Sequence, residues 1–117
     1  MEISVSLTDP SGNIIIYDSV THEHVLSDHP DIADDAIEAA SDTITAPDYI
    51  YGSRYHKYRD AYFKIGAFKK VPYCYCVSIV EFNKPGRGNV VLTVHAALTP
   101  EAISIDTANL KYIKPSL

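Results

Sequence analysis

Apolar and polar positions alternate from residue 2 to residue 8, with Ile3, Val5 and Leu7 on one side, the period of a half-buried strand. The stretch Asp9-Pro10-Ser11-Gly12-Asn13 is turn chemistry: Pro10 sets φ and Gly12 is free to take a positive one. Ile14 to Tyr17 resumes the apolar run, which predicts a β-hairpin. The period then lengthens to that of a helix. Ser19 or Thr21 can cap a short helix through Asp28 with Glu23 in its first turn, and Pro30 stops it, because the residue before a proline is pushed out of the helical region. Asp31 can cap a second helix with Asp34 and Asp35 near its start. Its apolar stripe is Ala33, Ala36, Ile37, Ala40 and Ile44, and Pro47 ends it.

Beyond Pro47 the period returns to two. Strands are expected at 48–53, 61–65, 71–82 and 90–97, the third being richest in β-branched and aromatic residues. A basic, aromatic bend at 54–60 separates the first two, and the loop NKPGRGN at 83–89 precedes the last. A helical turn at Thr99-Pro100-Glu101 and short edge strands at 102–105 and 110–113 follow. Helices precede the main sheet and do not alternate with its strands, which reads as α+β. The expectation is one domain over residues 1–117, with an N-terminal β-hairpin and two helices packed on an antiparallel sheet of about four strands.

Composition narrows the class. A chain of 117 residues can bury one core without disulfides or metals. No apolar run approaches the roughly 20 residues that span a bilayer, so no membrane association is expected. Met1-Glu2-Ile3 opens without the basic and apolar regions of a secretory leader. Cys74 and Cys76 share a strand face with Cα atoms about 6.6–6.8 Å apart, at or beyond the comfortable limit for a disulfide. Reduced thiols and a cytoplasmic location are therefore expected. Net charge is −5, but residues 1–53 hold eleven acids and no Lys or Arg, whereas residues 54–117 hold ten Lys and Arg against four acids. That split predicts either two electrostatic faces or a simply solvated acidic helix.

Three of the five histidines, His22, His24 and His29, fall within THEHVLSDHP. Imidazole titrates nearest neutrality and serves both proton transfer and metal binding. On a helix His22 and His24 point about 200° apart, and no zinc-type Cys–His spacing accompanies them, so no metal or cofactor is expected. In the strand at 90–97, Val90, Leu92, Val94 and Ala96 are expected on one face and Val91, Thr93, His95 and Ala97 on the other. Thr93 and His95 are either a site facing a cleft or a satisfied core pair. Tyr62 and Lys64 share a face of the strand at 61–65. A phenol, an ammonium, a hydroxyl and an imidazole on one sheet face would suit a phosphodiester: histidine as proton carrier, lysine opposite the phosphorane charge. Arg54, Tyr55, His56, Lys57, Tyr58 and Arg59 interleave cations with aromatics, a pattern fit for single-stranded RNA or for a protein interface. Lys84 and Arg87 on the glycine loop are candidates for a further phosphate contact.

The order of these motifs carries a resemblance. A hairpin leads into a helix with His-x4-His-Pro-acid (His24, His29, Pro30, Asp31), and a second helix ends in Pro47, Asp48 and Tyr49 with Ile50 following. An aromatic–lysine strand (Tyr62, Phe63, Lys64), an apolar strand and a last strand with Thr93, Val94 and His95 complete it. Over roughly residues 14–97 this resembles the phage-encoded branch of the barnase–EndoU–colicin–RelE-like superfamily. The resemblance implies a small α+β, metal-independent ribonuclease of toxin or prophage type, with a cognate antitoxin or immunity protein as partner. It carries the leading-helix histidine onto His24, the strand lysine onto Lys64 and the last-strand hydroxyl onto Thr93; His95 departs from the Tyr or Phe usual at its position.

Two functions follow as expectations. In the first, RNA is cleaved by 2′-OH attack, with His24 or His95 as base and acid, Lys64 at the phosphorane, Thr93 and Tyr62 positioning, and Arg54, Tyr55, Arg59, Arg87 and His29 holding substrate, His29 with Pro30 also orienting His24 at the helix end. In the second, the acidic helix face over residues 31–42 docks a basic partner without catalysis.

Overall fold

The structure, a computed structural model, describes residues 2–99 and 105–115. Strands β1 (Ser4–Thr8) and β2 (Ile14–Asp18) form the expected hairpin. Gly12 takes φ +87° in its turn. Helix α1 (Ser19–Asp28) follows at once. Its cap is Asp18, whose carboxylate accepts from the Thr21 amide, in place of the expected Ser19 or Thr21. His29 closes the helix by donating its N–H to the Val25 carbonyl. The second helix is split: a 3₁₀ turn at Ala33–Asp35 leads into α2 (Ala36–Thr45), which buries Ala36, Ala39, Ala40, Thr43 and Ile44. Strands β3 (Tyr49–Ser53), β4 (Arg59–Ile65), β5 (Tyr75–Lys84), β6 (Gly88–Ala97) and β7 (Ile105–Ile113) complete the fold. The expected helical turn at Thr99–Glu101 and the strand start at Ala102 fall, apart from Thr99, outside the described residues.

The expected antiparallel sheet of about four strands is not what forms. One mixed sheet of seven strands runs β1-β2-β6-β5-β4-β3-β7. The hairpin does not pack on the sheet as a separate layer but extends it, through a parallel bridge between Ile16 and Val90. At the other edge β7 pairs antiparallel with β3. The class remains α+β, with two helices. Strand periodicity reports that a segment is half-buried, but carries no information on which distant strand it pairs with, so the elements were readable and their assembly was not.

The sheet has two unlike faces. On one, α2 packs over Tyr62, Cys76, Val80, Val91 and Val94 in the main core. On the far face, Ala61, Phe63, Val77, Ala97 and Ile105 make a smaller core edged by Tyr49, Tyr51, Tyr75 and Ile79. A register shift in β6 opposite Ile79 and Val80 makes Leu92 a β-bulge. The bulge turns Val91 onto the helix face with Val94 and Ala96, and leaves Thr93, His95 and Ala97 on the far face beside Ile79, Val77 and Tyr75. The helix-face set Val90, Leu92, Val94, Ala96 thus holds only in its second half.

The charge split is consumed only in part within the fold: three of the eleven acids of residues 1–53 pair with a Lys or Arg of the second half among the described residues. Arg87 pairs with Asp18 at 2.6 Å, Lys70 with Asp34 at 2.8 Å and Lys69 with Glu38 at 3.2 Å. Cys74 and Cys76 are free, buried thiols. No helix among the described residues is long and apolar enough to cross a membrane.

Candidate functional site

β2 leaves β6 after the Ile16–Val90 bridge and turns into α1, so α1 runs beside β6 where a strand would otherwise continue. Thr21 Oγ1 donates to the Val91 carbonyl and satisfies that edge. This placement brings the end of α1 against the far-face side chains of β6. The His29 ring stacks on His95 with centroids 5.6 Å apart and an interplanar angle of 29°. His24 meets His29 edge-on at 6.0 Å and pairs through Nδ1 with Asp28 at 3.2 Å. Three histidines that the sequence scatters over 72 positions thus form one row, His24–His29–His95. His22 is half-buried, its Nδ1 2.8 Å from the hydroxyl of buried Tyr17.

His95 also opens into a pocket of about 220 Å³, lined by Ser53, His56, Arg59, Asp60, Ala61, Ile79 and His95. Ser53 Oγ accepts from the amides of Tyr55 and His56 at 3.4 and 3.3 Å, and the His56 carbonyl accepts from the Arg59 amide at 3.1 Å. These bonds fold the basic bend back so that His56 and Arg59 share the pocket with His95. Arg59 gives its Nε to Glu81 at 2.7 Å, which engages that nitrogen alone among the described residues. Burial lowers the His95 pKa below its ordinary value, and the neighbouring His29 lowers it further. His95 is therefore a neutral imidazole at pH 7, able to accept a proton. Thr93 Oγ1, on the same face, is buried and has no hydrogen-bond partner among the described residues.

Two of the expected residues lie on the other side of the sheet. Tyr62 pairs with Ser78 and thence Val94, and Lys64 with Cys76 and thence Ala96, all on the helix face. Tyr62 is buried and donates to Asp9 Oδ2 at 2.6 Å; burial, then the Asp9 bond and charge, hold its phenol strongly protonated. Lys64 Nζ donates to the Ala46 carbonyl at the end of α2, a helix-terminus cation. Arg87 is held by Asp18 and Thr21, and Arg54 and Tyr55 are exposed in the bend. The site thus keeps His95, Thr93, His29, His24 and Arg59 together, parts them from Tyr62 and Lys64, and adds Ser53 and His56. His56 was visible in the basic bend, but only the Ser53 turn shows where it points. Among the described residues no group of three or more His, Cys, Asp or Glu side chains is arranged to hold a metal ion.

Fold and pocket together define a small α+β domain with a histidine–arginine pocket on the far face of a mixed sheet. Comparison with protein-family models, curated proteins and solved structures finds no match for the chain.

Proposed function

We propose that the chain is a ribonuclease that cleaves RNA by 2′-OH attack in the His56–Arg59–His95 pocket. The observation that carries this reading is that two imidazoles and a guanidinium line one pocket. Neutral His95 takes the proton from the ribose 2′-OH; the 2′ oxygen bonds to phosphorus; the P–O5′ bond breaks; and an imidazolium at His56 returns a proton to the departing 5′ oxygen. The products are a 2′,3′-cyclic phosphate and a 5′-hydroxyl end. Arg59, whose Nη groups stay available beside its Glu81 pairing, faces the phosphorane charge. His29 stacks on His95 and orients its ring. Of the residues the resemblance carries over, His24 and Thr93 lie on this face and support the same chemistry, while Lys64 lies on the other and His95 departs from the Tyr or Phe usual at its position. The toxin or prophage setting, and with it a cognate antitoxin or immunity partner, belongs to this proposal.

The competing reading, an acidic helix face docking a basic partner, has less to stand on, because Asp34 and Glu38 already pair with Lys70 and Lys69, and Asp35 accepts from the Lys69 amide at 2.7 Å. The test is incubation of the purified chain with structured and unstructured RNA in EDTA. Cleavage is expected, with His95→Ala and His56→Ala each losing about 10²–10⁴-fold in rate. Absence of cleavage at every pH from about 5 to 8, around the ordinary imidazole range, or equal cleavage by both variants, overturns the proposal.

A further inference from the structure

A second hollow opens on the far face, at the opposite end of β3 from the histidine pocket. Its volume is about 300 Å³ and its lining is Asp48, Tyr49, Ile65, Tyr75, Ile113 and Lys114. Tyr49, Tyr51 and Ser53 alternate onto this face, so four residue steps place the two hollows roughly 13 Å apart along the strand. Between them the rings form a closed circuit. Tyr49 neighbours Tyr51 at 6.1 Å, Tyr51 meets buried Phe63 edge-on at 5.8 Å, Phe63 meets Tyr75 edge-on at 6.0 Å, and Tyr75 returns to Tyr49 at 6.3 Å. Phe63 is the floor. Tyr49 and Tyr75, tilted 56° to each other, are walls of the hollow and do not stack on one another.

The charges around the hollow select its occupant. Asp48 lines it while its Oδ2 accepts from the Ile65 amide at 2.8 Å. A carboxylate there disfavours a bare anion and suits an uncharged ring that offers N–H groups. The Tyr75 phenol is held protonated by burial first and then by Tyr49 and Asp48. Lys114, also in the lining, pairs with no carboxylate among the described residues, and the same is true of Arg54 in the bend beside the histidine pocket and of Lys57, which lies over the Tyr58 ring at 5.5 Å. Lys114 and Arg54 thus stand towards the two ends of the tyrosine row, where a phosphate backbone would enter and leave, whereas Lys57 lines a separate hollow with Asn13 and Phe82, and Lys64 bonds the Ala46 carbonyl on the helix face.

We infer that the Tyr49–Tyr75 hollow is a nucleobase subsite, and that the substrate of the histidine pocket is single-stranded RNA laid along the far face. This rests on the ribonuclease reading for its direction but not for its test. Aromatic walls take a base only when it is splayed out of a duplex, so paired RNA is excluded. The probe is a fluorescently labelled, fully 2′-O-methylated oligonucleotide, which binds but has no free 2′-OH to attack, followed by anisotropy. Tyr49→Leu and Tyr75→Leu, which keep apolar volume on the strands, are expected to weaken binding by roughly 5- to 150-fold each, the range for one lost base stack. Tyr75→Phe, which keeps the ring, is expected to stay within about threefold, and a self-paired hairpin probe to compete poorly. Affinities of both leucine variants within about twofold of the parent, with unchanged thermal melts, overturn the inference, as does equal competition by the hairpin. Tyrosine-dependent binding without any RNA cleavage upholds the subsite and sinks the ribonuclease reading; cleavage with binding indifferent to both tyrosines does the reverse.

Discussion

The Asp9–Tyr62 bond is the contact that distinguishes a structural Tyr62 from a catalytic one. Tyr62 is 1% exposed and Asp9 5%, and they meet at 2.6 Å across 53 positions of sequence, joining the hairpin turn to β4. Tyr62→Phe removes the hydroxyl and little else. Asp9 would keep three donors: the Ser11 amide at 3.0 Å, the Asn13 amide at 2.8 Å and Asn13 Nδ2 at 3.1 Å. The carboxylate is therefore not stranded, and the loss is that of one hydrogen bond to a charged group, about 1.5–3 kcal/mol. For a domain of this size each kcal/mol moves Tm by roughly 4 °C, so a fall of about 6–12 °C is expected. Urea unfolding followed by circular dichroism should show a lower midpoint with an unchanged slope. RNA cleavage per folded molecule should stay at the parent level. A variant as stable as the parent within about 0.5 kcal/mol, the ordinary scatter of surface substitutions, would refute the structural role. A stable variant that no longer cleaves would return Tyr62 to the chemistry.

Lys64→Met removes a cation from the end of α2 and should lower stability by about 0.3–1 kcal/mol without changing cleavage; a hundredfold loss of rate would contradict its placement on the helix face. His95 titrates below its ordinary value, so the folded state binds fewer protons than the unfolded one. Its contribution is present above the unfolded value, about 6.5, and is lost as pH falls from there through the folded value. NMR titration should place the His95 midpoint below 6.5, and His29→Ala should raise it; an unmoved midpoint would deny the coupling across the stacked rings. Burial pushes the Cys76 thiol up to about 12, so a thiol reagent at pH 8 should leave it unmodified in the native protein and modify it in denaturant. Rapid native labelling of Cys76, read by peptide mass, would contradict its burial.

Local pattern alone determined much of this protein. The hairpin around Pro10 and Gly12, the helix stopped by Pro30, the stripe at Ala36, Ala40 and Ile44, and strands expected at 48–53, 61–65 and 90–97, which form at Tyr49–Ser53, Arg59–Ile65 and Gly88–Ala97, follow from periodicity and turn chemistry, which act over a few residues. His24, His29 and His95 were legible as candidates because imidazole is conspicuous wherever it falls. Tertiary structure decided the rest. The parallel Ile16–Val90 bridge, 74 positions apart in the chain, made the sheet seven-stranded and set α1 against the β6 edge, so that His29 reached His95. The extra residue at Leu92 moved Val91 onto the helix face, and, independently of it, the β4–β5–β6 register put Tyr62 and Lys64 behind the sheet from Thr93 and His95. Periodicity gives each strand two faces but not which face meets solvent, helix or pocket; that depends on register between distant segments, and one bulge or one bridge reverses it.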